Sequence, residues 1–161
     1  MRSSNNAFHG LEGCYDQLLS WCDLLEAVAD FLPCHIDERF CETITKGLLS
    51  CLDSTCDMEE QEIASRLVLI MTSEELAGAI ERMKMSRMFA RKSAQDVVDV
   101  LVALKAGKCP LSWDAVGHLL RSFFCPMRSH IKEERQLIGR IRKALEAAAL
   151  AQRTDVATEA A

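Results

Sequence analysis

The side chains best placed to do chemistry lie in residues 123–141, which read FFCPMRSHIKEERQLIGRI. Phe123, Met127, His130, Glu134, Leu137 and Ile141 follow one another at steps of three or four, so they share one face of a helix. That face is apolar at both ends and carries an imidazole and a carboxylate in its middle. A His-x-x-x-Glu pair one turn apart, directed into a helical core, is how bundle proteins offer ligands to a metal, provided that other helices complete the set.

The elements that must position this pair follow from periodicity. A first helix over residues 9–31 carries the stripe Leu11, Tyr15, Leu18, Cys22, Leu25, Ala29 and Leu32. Pro33 ends it, because the residue before a proline is pushed out of helical geometry. A second helix over residues 38–70 carries Cys41, Thr45, Leu48, Leu52, Cys56, Glu60, Ile63 and Leu67. The segment TSEE, with Thr72 capping and Glu75 reaching back, opens a third helix over residues 73–105. Its stripe runs Leu76, Ile80, Met83, Arg87, Arg91, Ala94, Val98 and Leu101. Gly107 and Pro110 break the chain, and Ser112 caps a fourth helix over residues 113–150. Pro126, inside that helix, removes one amide and is expected to kink it. Short links make neighbours antiparallel, so the predicted fold is all-α, an up-down-up-down four-helix bundle over residues 9–150. Residues 1–8 are expected to be flexible, and the alanine-rich residues 151–161 to form a disordered tail.

Composition narrows the function. Of 161 residues, 49% are hydrophobic and 27% charged, with only 7 glycines and 3 prolines, a balance suited to a compact helical domain. The net charge of −5 offers no basic face for nucleic acid. No apolar run is long enough to cross a membrane. The opening MRSSNNAFHG has no apolar core, so a signal peptide is not expected and the cytoplasm is the expected compartment. The eight cysteines form no CxxC pair, which leaves a zinc or thioredoxin site without support. Reduced thiols are expected, with Cys22 and Cys56 acting as small hydrophobes on inward stripes. No Gly-rich phosphate loop and no H-E-x-x-H occurs, so an enzyme is not expected.

Seven polar or reactive residues fall on the apolar stripes near their middles: Tyr15, Cys56, Glu60, Arg87, Arg91, His130 and Glu134. Spread over four helices in register, they predict a shared polar centre. With WCDLLEAVADFLP (residues 21–33), DMEEQE (57–62) and DAVGHLLRSFFCPMRSHIKEERQLI (114–138), the chain resembles the bacterial hemerythrin-like family, the HHE cation-binding domains. The resemblance implies an up-down bundle built around a non-haem di-iron centre. That family's ligands are a histidine on the first helix, His-x-x-x-Glu on the second, a similar pair on the third and a histidine-led motif on the fourth. Carried over, His130 and Glu134 match the fourth-helix motif and Glu60 the second-helix carboxylate. The other ligand places fall on Tyr15, Cys56, Arg87 and Arg91.

Guanidinium has no lone pair to give a metal, and two of them would repel a di-iron cation. They would instead neutralise Glu60 and Glu134 in a metal-free ionic network, since a buried charge without a partner costs several kcal/mol. The expectation is therefore a degenerate site with no cofactor, in a protein with a structural or regulatory role exercised through an unknown protein partner, possibly itself. The alternative is a non-haem iron O2, NO or redox sensor with Tyr15, Cys56, Glu60, His130 and Glu134 as unusual ligands. Two plainer possibilities stand beside these. Arg87 and Arg91 could run their stems along the bundle with their heads in water, while Met85, Met88 and Phe89 turn inward. Cys109-Pro110 and Cys125-Pro126 resemble the Cys-Pro dipeptide of haem-regulated proteins.

Overall fold

The computed structural model describes residues 8–159, with side chains through residue 153. Four α-helices account for nearly all of it: α1 (His9–Asp30), α2 (Glu38–Glu62), α3 (Ser73–Lys105) and α4 (Trp113–Glu159). There is no strand among the described residues. The antiparallel order is written in the ion pairs. Climbing α4, Arg121 meets Asp30, Arg128 meets Asp23 and Glu26, and Arg135 meets Glu12 and Asp16, so the partners descend α1. Lys105 at the end of α3 likewise reaches Glu38 and Glu42 at the start of α2.

The helix ends follow the local chemistry. Asp37 accepts from the Arg39 amide to open α2, and Thr72 and Glu75 form the predicted capping box at α3. The Ser112 hydroxyl accepts from the Ala115 amide at the start of α4. Three boundaries differ from expectation. The α-helical part of α2 stops at Glu62, and residues Ala64–Leu69 form a 3-10 turn. Arg66 secures the change by donating to the Glu62 carbonyl at 2.7 Å. α4 continues past Leu150 to Glu159, in keeping with the high helix propensity of alanine. Phe8, expected in a flexible terminus, is buried under Arg66 and Arg142, which stack on its ring. The rest of the expected flexible terminus, residues 1–7, lies outside the described residues.

The core is a column of Leu11, Leu18, Leu25, Ile44, Leu48, Leu101, Leu120 and Phe123, all but inaccessible to water. α1 and α4 contribute along most of their length. α3 does not: between Ala79 and Ala94 none of its residues is fully buried. α4 runs through Pro126 as one helix. The Ser122 carbonyl, deprived of its partner by the proline, receives instead the Ser93 hydroxyl of α3 at 3.5 Å.

Candidate functional site

At mid-height, four side chains meet in the interior. Tyr15 of α1 is fully buried and donates its hydroxyl hydrogen bond to Oε1 of Glu59 on α2, at 3.0 Å. His130 of α4 places Nε2 2.8 Å from the same oxygen. One carboxylate oxygen thus ties three helices together. Glu134, one turn along α4 from His130, is only 8% exposed, and its Oε2 has no hydrogen-bond partner among the described residues. Arg135 closes the outer side of Tyr15, stacked over the ring and paired with Glu12 and Asp16. Cys56 lies buried beside the cluster on α2.

Burial and proximity shape the proton affinities. Burial raises the Glu134 pKa from 4.5 to about 7, helped by the Glu59 carboxylate and opposed by His130. Burial works against a charged His130, but the hydrogen bond to Glu59 and the carboxylates of Glu59, Glu134 and Glu133 outweigh it and raise its pKa. Burial also pushes the Cys56 thiol up to about 11, and it pushes the Tyr15 phenol far above its ordinary range. Neither group offers an anionic nucleophile near neutral pH. The cluster is suited to holding protons and tying helices together.

Of the seven residues expected to converge, Tyr15, Cys56, His130 and Glu134 do. Glu60 and Arg91 do not, and Arg87 reaches only the edge, beside Cys56. The Glu60 side chain is 70% exposed, and Glu59 occupies the inward place on α2. Arg87 donates to Glu60 at 3.0 Å and to Asp57 at 2.5 Å, and Arg91 pairs with Asp53. These pairs seam α2 to α3 at the surface, so the expected arginine–carboxylate network exists outside the core rather than within it. The plainer possibility for α3 is also only half met, because Met85, Met88 and Phe89 stay outside. Glu59 was the residue missed. Its signal was the spacing of four to Ile63 and of three to Cys56, which keeps it on the mean line of the α2 stripe.

The residues present do not fit a di-iron centre. Only one histidine reaches the interior, and its Nε2 is already engaged with Glu59. α3 supplies no donor, because Arg87 and Arg91 are turned to the acids of α2. Among the described residues, no three His, Cys, Asp or Glu side chains group closely enough to hold a metal ion. What α3 turns toward the cluster is Ser86, Arg87 and Ala90, which border a narrow gap beside Cys56, Glu59 and His130. On either side of α3 lies an open cleft, about 250 Å³ against α2 and about 280 Å³ against α4.

Comparison with protein-family models, with curated proteins and with solved structures finds no match. Among the described residues no helix is long and apolar enough to cross a membrane.

Proposed function

We propose that this chain is a hemerythrin-like bundle in which the di-iron centre has given way to the Tyr15–Glu59–His130–Glu134 cluster, and that it has a structural or regulatory role exercised through protein contacts. The observation that carries the reading is the outer face of α3. Met85, Met88 and Phe89 stand 42%, 66% and 69% exposed at spacings of three and four, with Phe89 also bordering the cleft toward α4. Exposed apolar side chains grouped within one turn support an interaction surface there.

A second copy of the chain suits the strip. With two α3 helices antiparallel across a two-fold axis, Met85 of one lies opposite Met88 of the other, and Glu81 opposite Lys92. Each contact then occurs twice, as an isologous interface requires. Sedimentation equilibrium tests this. The wild-type chain is expected to associate to a dimer with rising concentration, and the variant carrying Met85→Ser, Met88→Ser and Phe89→Ser to remain a folded monomer. A wild-type chain that is monomeric at every concentration, or a variant that dimerises equally well, overturns the reading.

A further inference from the structure

The two clefts that flank α3 differ in their lining. The one against α2 is bordered by Glu60, Lys84 and Arg87. The one against α4, about 280 Å³, is walled by Phe89, Ala90, Phe123, Pro126 and Met127, and no carboxylate, lysine or arginine lines it. Three of its four polar neighbours are already engaged: Ser93 donates to the Ser122 carbonyl, Ser122 donates to the Leu119 carbonyl, and His130 is bound to Glu59. An apolar side chain is therefore its natural occupant. The strip on α3 carries one in the right place. At about 100° per residue, Met85 lies between Met88 and Phe89 around the helix, about 60° from one and about 40° from the other, so it stands at the middle of the exposed group. In the antiparallel pairing of two α3 helices, Met85 of one copy falls level with Met88 of the other. That is about 3 Å along the axis from Ala90, at a rise of 1.5 Å per residue. The α3 side of the cleft spans this height, from Ser86 to Ser93.

We propose that the cleft between α3 and α4 is the socket for Met85 of a second copy of this chain, each copy giving one methionine and receiving one. This inference rests on the association through α3 and extends that interface onto α4. A two-fold axis requires knob and socket to lie on the same surface of one chain, and here Phe89 belongs to both the strip and the cleft wall. Methionine suits such a socket, being unbranched, adaptable and favourably placed against the edges of aromatic rings, which Phe89 and Phe123 supply. Charge sets the direction of the pairing. Antiparallel helices place Glu81 opposite Lys92, whereas parallel ones related by a two-fold would place each beside its own like charge. The cleft against α2 is the poorer socket, because its charged border would have to be stripped of water.

Isotope-filtered NMR of a mixed sample, one copy of the full chain labelled at its methionine methyl groups and the other unlabelled, reads the contact directly. Phe123 is only 2% exposed and lines the cleft, so a nuclear Overhauser effect from the Met85 methyl of one copy to the Phe123 ring of the other is expected only if the socket is filled. Sedimentation equilibrium supplies the second readout. Met85→Ala should weaken the dimer about a hundredfold, at about tenfold for each of two buried methionines. Ala90→Leu leaves the strip intact and fills the socket with a good helix former, and it should weaken the dimer by about tenfold or more. The wild-type Overhauser effect decides the question even where a variant folds poorly. A wild-type chain that is monomeric at every concentration overturns the socket together with the association on which it rests. A wild-type dimer without that Overhauser effect, or folded Met85→Ala and Ala90→Leu variants that dimerise as tightly as wild type, overturns the socket alone.

Discussion

Replacing Glu134 by glutamine removes a buried carboxylate whose Oε2 has no hydrogen-bond partner among the described residues. The consequence should depend on pH in a defined way. The folded-state pKa lies at about 7 against an ordinary 4.5, so the native state holds this proton more tightly than the unfolded chain does. Such a group gives stability that is fully present below its unfolded pKa and is lost as pH rises through its folded pKa. At about 1.4 kcal/mol per pH unit, the raised pKa corresponds to a loss of about 3 kcal/mol on the alkaline side. The raised pKa of His130 acts with the same sign. The groups facing Glu134 that enter the balance are Tyr15 from α1, Glu59 from α2, and His130 and Glu133 from α4, with Cys56 and Arg87 acting next to Glu59. Wild-type unfolding free energy, measured in urea, is therefore expected to fall between about pH 5 and pH 8. Glu134→Gln should stabilise the protein by about 3 kcal/mol at the upper end and by close to nothing at the lower, because glutamine mimics the protonated acid. A variant whose effect is the same at both ends, or one that is destabilised at the upper end, refutes the reasoning.

Three further substitutions separate the interior cluster from the surface seam. Tyr15→Phe keeps the ring and deletes a buried hydroxyl that donates to a carboxylate, so it should cost about 2 kcal/mol in denaturant unfolding; an unchanged midpoint contradicts the hydrogen bond. Arg87→Ala should cost less than about 1 kcal/mol, because its carboxylate partners are mostly in water, whereas a loss of several kcal/mol would restore the buried ionic network that the sequence suggested. Gly47→Ala places a methyl carbon 2.9 Å from the rigid ring of Trp21. The overpacking should exceed the gain in helix propensity, leaving a net loss of about 1 kcal/mol, and a stabilised variant would show that Trp21 moves aside freely.

Much of the bundle was legible from spacing because its stripes alternate between three and four. On α1, Leu11, Tyr15, Leu18, Cys22, Leu25 and Ala29 all proved buried. On α4 the run Met127, His130, Glu134 and Ile141 faces inward as expected, with His130 and Leu137 partly covered. The misreadings on α2 and α3 share one cause. Leu48, Leu52, Cys56 and Glu60 are three successive steps of four, and each such step on a 3.6-residue helix turns the face by about 40°. By Glu60 the line has left the core, and Glu59 has taken its place. Met83, Arg87 and Arg91 drift in the same manner, which leaves Arg87 at the edge and Arg91 outside. The end of α2 at Glu62 was not legible, because no proline or glycine marks it and the 3-10 turn depends on Arg66 reaching back. The sharing of one Glu59 oxygen by Tyr15 and His130 joins residues far apart in the chain, so only the packed structure could reveal it.

We propose that protons and hydrogen bonds, rather than iron, occupy the middle of this bundle. Metal content of the full chain, expressed with iron supplied and purified without chelator, tests it most directly. Far less than one iron per chain, and no absorption band from a phenolate or oxo-bridged iron, is the expected result. One or two irons per chain, released on unfolding and lost with His130→Ala or Glu134→Gln, would contradict it.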